Sequence, residues 1–158
     1  MSSVRIRLAV SSEQKALEAL QWRASLTNAS DREALIAHPD AIELPIEQIE
    51  AGAVFVAEWN GVVAGFAAIL PRADGATELD GLFVEPDIRR RGIGRSLVEH
   101  CSNVALGRGS TALHVVGNRH AEVFYRECGF EFIGTTDTRF GFGLLLRKTL
   151  LPVCTVTD

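Results

Sequence analysis

Residues 89–95 read Arg-Arg-Arg-Gly-Ile-Gly-Arg, which places four positive charges and two glycines within seven residues. The segment follows an apolar strand pattern ending in Leu82-Phe83-Val84-Glu85-Pro86 and precedes a run with helical apolar spacing. A helix N-terminus exposes unpaired N–H groups and a partial positive charge, so it favours anions and disfavours cations. Arginines crowded there oppose the helix dipole unless a polyanion binds, and Gly92 and Gly94 let the backbone approach a pyrophosphate closely. A solvated arginine-rich turn is the plain structural alternative. Spacing separates the phosphate ligands. A Walker turn needs Gly-Lys followed by Ser or Thr, whereas Gly94 is followed by Arg95-Ser96. A dinucleotide fingerprint needs a small residue at 97 and an acid ending the next strand, whereas the chain has Leu97 and Gly117-Asn118.

Asn118 and Tyr125 form a second constellation. Seven residues apart on one helix, they would share a face about 10 Å apart along the axis. A helix cap and a core aromatic are the structural alternative. Glu78 and Asp80, on the strand before the basic turn, fall on one face by period-two alternation, and either reads equally as a surface or paired carboxylate. His38, His100, His114 and His120 share no metal-ligand spacing and read as cap, surface or core residues, so no metal is expected. Cys101 and Cys128 fall on apolar helix faces as structural thiols. With Cys154 they make an odd number without a C-x-x-C pair, so neither a disulfide framework nor a zinc knuckle is indicated. Trp22, Arg23 and the Arg139-Phe140 segment are weaker candidates for facing a substrate.

These residues need elements to carry them. Arg5 to Val10 reads as a strand, and Ser11 or Ser12 as the cap of a helix bearing Ala16, Leu17, Leu20 and Ala24. A second helix begins near Ser30 or Asp31 and stops by His38, because Pro39 disfavours helical geometry in the residue before it. Residues 39–51 read as loop plus a short helix. Ala53 to Trp59 and Val62 to Leu70 flank Asn60-Gly61, the signature of a type I′ hairpin. Thr77 to Val84 is the next strand, Gly92 to Leu106 a helix, and Thr111 to Val116 another strand. Asn118 caps a helix with Ala121, Phe124, Tyr125 and Cys128 on one face, stopped by Gly129. Phe130 to Thr136 and Phe142 to Leu150 close the fold, although Gly141-Phe142-Gly143 is glycine-rich for a regular strand. The order β-α-α-β-β-β-α-β-α-β-β is that of an α/β (α+β) fold with a mixed sheet.

Composition bounds the reading. A chain of 158 residues, 47% hydrophobic and 23% charged, fits a single globular domain over 1–158. No secretory leader pattern is present, and the longest apolar stretch, Val62 to Leu70, is far short of a membrane span, so a soluble cytoplasmic protein is expected. The net charge is −4; since +4 of it sits on Arg89, Arg90, Arg91 and Arg95, the remainder carries −8. That balance argues against a general nucleic-acid surface, and with no membrane-spanning stretch no membrane partner is expected.

Arg89-Arg90-Arg91-Gly92-Ile93-Gly94 resembles the phosphate-binding signature of the GNAT superfamily of acyl-CoA-dependent acyltransferases: Gln or Arg, two variable residues, Gly, one variable residue, then Gly or Ala. Asn118-x-x-Ala121-x-x-Phe124-Tyr125-x-x-x-Gly129-Phe130 resembles that family's later motif. The resemblance is tight from about 78 to 130. It implies a central, mostly antiparallel mixed sheet flanked by helices, with acetyl-CoA as cosubstrate. It further implies that backbone N–H groups from Arg90 to Arg95 hold the CoA pyrophosphate and that Leu82, Phe83 and Val84 pair with the pantetheine arm. Glu78 resembles the base of the histone-acetylating branch, acting through water, with Asp80 or water alone as alternatives. Tyr125 resembles the general acid at the departing sulfur. A phenol near pKa 10 is a weaker acid than a thiol near 8.5, so full transfer is uphill by about 2 kcal/mol, and hydrogen-bond stabilisation of the thiolate is the safer role. The acceptor would be a primary amine on a small molecule or a peptide, and family members often pair as homodimers. A non-catalytic acyl-CoA-sensing module and an anion-binding structural domain stand as alternatives.

Overall fold

The computed structural model describes residues 4–27, 29–138 and 141–151. Its strands are β1 (Val4–Leu8), β2 (Val54–Trp59), β3 (Val62–Pro71), β4 (Thr77–Val84), β5 (Ala112–Gly117), β6 (Glu131–Thr138) and β7 (Gly141–Thr149). Its helices are α1 (Gln14–Ser25), α2 (Ala29–Ala37), α3 (Ile46–Glu50), α4 (Ile93–Gly107) and α5 (Glu122–Glu127). The strands form one mixed sheet in the order β1-β2-β3-β4-β5-β7-β6, in which β4 and β5 are parallel while β1/β2, β2/β3, β5/β7 and β6/β7 are antiparallel. The α+β class and the mostly antiparallel sheet are as the sequence suggests. The short helix expected within 39–51 is α3, which the summary order of elements left out; it follows Pro45 and buries Gln48 and Ile49.

The chain divides into two compact units, one containing the chain up to Ile69 and Gly81–Val98, the other Leu70–Asp80 and the chain from Glu99 onward. In the first unit, Asn60 and Gly61 have φ of 53° and 83°, the left-handed pair that a type I′ hairpin requires, and they fold β2 onto β3. Val54, Val56, Phe66 and Ala68 from that hairpin pack with Leu17 and Leu20 of α1, Leu44 and Ile49. Helix α1 also clasps the backbone of Leu44: Gln14 Nε2 donates to its carbonyl at 2.7 Å and Glu18 accepts its N–H at 2.8 Å. The expected serine cap is not made. A single 3-10 turn at Ser11–Glu13 precedes α1, and the Val10 N–H donates to Glu13, whose carboxylate is fixed by Arg7 at 2.8 Å.

In the second unit, Leu113 and Val115 of β5 and Leu146 of β7 are buried with Cys101 and Ala105 of α4. Thr77 and Ser110 share a buried hydroxyl–hydroxyl hydrogen bond of 2.7 Å. The two glycines that made the closing strand look irregular have different reasons: Gly141 has a φ of 117°, whereas a Cβ on Gly143 would lie 2.6 Å from Val116 Cγ1 and 2.8 Å from Thr138 Cγ2.

Candidate active site

The basic turn leaves β4 through a 3-10 turn at Pro86–Ile88 and enters α4 at Ile93, whose side chain is buried. Arg90 and Gly92 have φ of 64° and 77°, so the chain turns tightly ahead of the helix N-terminus. A Cβ on Gly92 would meet nothing within 4 Å. The space over this backbone is open, as close approach of a phosphate requires. The four arginines are not equivalent. Arg89 donates to Thr27 Oγ1 at 2.7 Å, and the Arg91 guanidinium lies 5.2 Å from the Trp59 ring centroid, a cation–π contact. Arg90 and Arg95 make no hydrogen bond or ion pair among the described residues. Two guanidinium groups therefore brace the turn and two stay available to a ligand.

Strand β4 brings Leu82, Phe83 and Val84 up to this turn. Its N-terminal part pairs with β5 in parallel, Thr77–Leu79 against Leu113–Val115. On its other edge β4 is held closely: the Glu85 N–H donates to Ala64 O at 2.7 Å, and a Cβ on Gly65 would lie 2.7 Å from Phe83 O. Phe83 stacks on Phe66 with centroids 5.3 Å apart. Glycine at 65 lets β3 come this near. Arg23 of α1 forks onto both oxygens of Glu85, with Nε at 3.0 Å, and steadies the end of the strand.

Within the second unit, Asn118 is a helix cap: its Oδ1 accepts the Ala121 N–H at 2.9 Å. Residues 119–121 form a 3-10 turn before α5, so Asn118 and Tyr125 do not share one continuous α-helical face as their spacing suggests. The tighter 3-10 turn shifts the phase of the two side chains. Tyr125 is buried at 7% exposure, edge-on to Phe124 and Phe130 at centroid distances of 5.2 and 5.3 Å. Gly117 makes room for it, since a Cβ there would lie 3.1 Å from the tyrosine ring. Burial, with a smaller contribution from Cys128, pushes the phenol pKa well above its ordinary value. The hydroxyl therefore keeps its proton and can donate a hydrogen bond through it.

Glu78 is half-buried and accepts from Arg72 Nη1 at 2.7 Å, while the same guanidinium holds Asp74 at 3.1 Å. In the β4–β5 register Glu78 stands opposite His114. Asp80 is exposed and makes no ion pair among the described residues.

A model of the acetyltransferase (GNAT) family matches residues 17–130, well over half of the chain. The chain belongs to the GNAT acetyltransferase family. Among curated GNAT relatives, it is 39% identical over 59 residues to the peptidyl-lysine N-acetyltransferase YjaB of Salmonella typhimurium; the match covers 37% of this chain and 39% of that protein. The aligned stretch thus spans well under half of that relative. The fold is that of the PaiA N-acetyltransferase of Thermoplasma acidophilum in complex with coenzyme A, with a TM-score of 0.73 at 17% identity over 93% of this chain and 99% of the other. It is also that of YncA of Salmonella typhimurium with acetyl-CoA, with a TM-score of 0.69 at 19% identity over 99% of this chain and 98% of the other.

The GNAT motif residues fall into two groups. Leu82–Val84 and Arg89–Arg95 belong to the first unit, and Glu78, Asp80, Asn118 and Tyr125 to the second. Reasoning from motifs missed the residues that brace them: Thr27 and Trp59 under the arginines, Gly65 behind β4, Gly117 beside Tyr125, and Arg72 on Glu78. Only the paired glycines carried a hint, as breaks in otherwise apolar strand runs. Trp22 is half-buried on α1, Cys101 is a buried thiol whose pKa burial raises to about 12, and Arg139-Phe140 lies outside the described residues. Among the described residues no helix is long and apolar enough to cross a membrane, and no cluster of His, Cys, Asp or Glu is placed to hold a metal ion.

Proposed function

We propose that this protein transfers an acetyl group from acetyl-CoA to a primary amine by direct attack of the amine on the thioester. The observation that carries the reading is the turn before α4, open over Gly92 and bordered by Arg90 and Arg95, which have no partners of their own among the described residues. Backbone N–H groups of residues 90–95 hold the pyrophosphate, and the two arginines add charge-assisted hydrogen bonds. The Leu82–Val84 backbone receives the pantetheine amides as a neighbouring strand would.

An alkyl ammonium near pKa 10.4 is neutral in only roughly one molecule in a few thousand at pH 7, a cost of about 4–5 kcal/mol, so the amine needs a route for its protons. Glu78, anchored by Arg72, orients a water on that route. Attack forms the C–N bond, and the C–S bond breaks with its electron pair leaving on sulfur. Tyr125, kept protonated by burial, donates a hydrogen bond to the thiolate and does not surrender its proton. A peptide or protein lysine and a small-molecule amine both satisfy this chemistry. The peptidyl-lysine activity named for the Salmonella relative supports the first.

Thermal denaturation with CoA or acetyl-CoA tests the donor site. At a hundredfold excess over Kd, binding stabilises by about 2.7 kcal/mol, which raises the Tm by about 5–10 °C for a chain of this size. An unchanged Tm would remove the donor assignment.

A further inference from the structure

His114 stands beside Glu78 yet has no part in the roles above. The sheet registers place Glu78 of β4 opposite His114, His114 opposite Arg147 of β7, and Arg147 opposite Glu131 of β6. Residues opposed across neighbouring strands project from the same face, with strands about 4.8 Å apart. These four therefore form one row across the second unit's sheet. The alternate positions, Leu79, Leu113, Val115 and Leu146, are all at most 3% exposed, so one face is apolar core and the other carries ionisable groups. Glu78–His114 is the registered β4–β5 pair on this face.

The charged groups around His114 have partners of their own, although the Arg147 Nε is buried without one among the described residues. Arg72 bonds Glu78 and Asp74, and Arg147 turns to Glu131 at 3.3 Å. The half-buried imidazole makes no hydrogen bond among the described residues. Burial lowers its pKa, the Arg72 and Arg147 guanidiniums push the same way, and Asp74 and Glu78 oppose them only in part. At neutral pH it is an uncharged imidazole with an available lone pair.

We propose that His114 is the base that receives, through the water oriented by Glu78, the proton shed by the acceptor nitrogen as the C–N bond forms. This rests on the acetyl-transfer reading above. The nitrogen's proton passes by that water to the imidazole, the C–S pair leaves on sulfur, the imidazolium then releases its proton to solvent, and the thiolate takes one up. Atoms and charge balance with no further reactant. Glu78 acts as a positioning residue.

The test is the pH profile of kcat at saturating acetyl-CoA for the native chain, His114→Gln and Glu78→Gln, with CoA binding followed by thermal shift. The native enzyme loses rate on an acid limb centred below pH 6.5, the ordinary histidine value. A limb due to the amine is told apart because it moves when an amine of different pKa is used. His114→Gln is expected to lower kcat by about 100-fold and abolish the acid limb while CoA still raises the Tm. Glu78→Gln slows the reaction and keeps the limb. In His114→Ala, added imidazole restores part of the rate, which loss of a purely structural histidine would not allow. A His114→Gln enzyme that keeps both rate and acid limb overturns the proposal alone. A native chain that binds CoA and acetylates no amine overturns the transfer reading and this proposal with it.

Discussion

At the turn before α4, a Cβ on Gly92 would touch nothing within 4 Å; at the corner around Tyr125, one on Gly117 would lie 3.1 Å from the ring. The two motifs that resemble the same family are thus built in opposite ways. The turn is an exposed run of backbone bordered by two arginines that have no partner among the described residues. The corner is closed, with a buried aromatic ring held edge-on between two others. A site for a solvated polyanion needs approach and gains from charge, whereas a phenol that must keep its proton gains from desolvation.

Tyr125→Phe breaks the closed half at its one polar atom. Loss of a hydrogen bond to a charged group costs about 1.5–3 kcal/mol, so kcat should fall by about 10- to 150-fold while acetyl-CoA affinity stays within about twofold. Steady-state kinetics beside calorimetric binding decides it, and unchanged turnover would remove Tyr125 from the reaction. Gly65→Ala probes the close approach behind β4. Its new methyl would meet Phe83 O, a backbone atom with little room to yield, so unfolding in urea should show a loss of about 1–3 kcal/mol together with weakened CoA binding.

The open half predicts a split among the arginines. Arg90→Ala and Arg95→Ala should each weaken CoA binding by about three- to tenfold, with a shallower dependence on salt. Arg89→Ala and Arg91→Ala should act mainly on stability, since their guanidiniums are spent on Thr27 and Trp59. Equal effects on affinity from all four would contradict the division. The smallest effect is expected at Arg23→Ala, because its ion pair with Glu85 lies at the surface: less than about 1 kcal/mol of stability, read as a small drop in Tm.

Much of this was legible in the chain itself, for local reasons. Asn60-Gly61 specifies its turn because two left-handed residues in sequence have few other uses, and Pro86 ends β4 because proline cannot continue the ladder. The basic turn was legible because glycines and arginines there conflict with a helix N-terminus unless an anion binds. What was not legible depends on residues distant in sequence. Nothing local to Arg89 and Arg90 says that one reaches Thr27 and the other has no partner among the described residues. The phase between Asn118 and Tyr125 was lost because a 3-10 turn and an α-helix look alike over three residues. His114 looked like any half-buried histidine until β5 was set against β4 with Glu78 opposite.

The most direct test of acetyl transfer is amine-dependent release of the CoA thiol from acetyl-CoA, measured over a panel of lysine peptides and small-molecule amines with mass analysis of the products. The account predicts that at least one amine gives thiol and N-acetylated product in equal amounts. Binding of acetyl-CoA that raises the Tm without acetylating any amine would contradict it and leave an acyl-CoA-sensing module in its place.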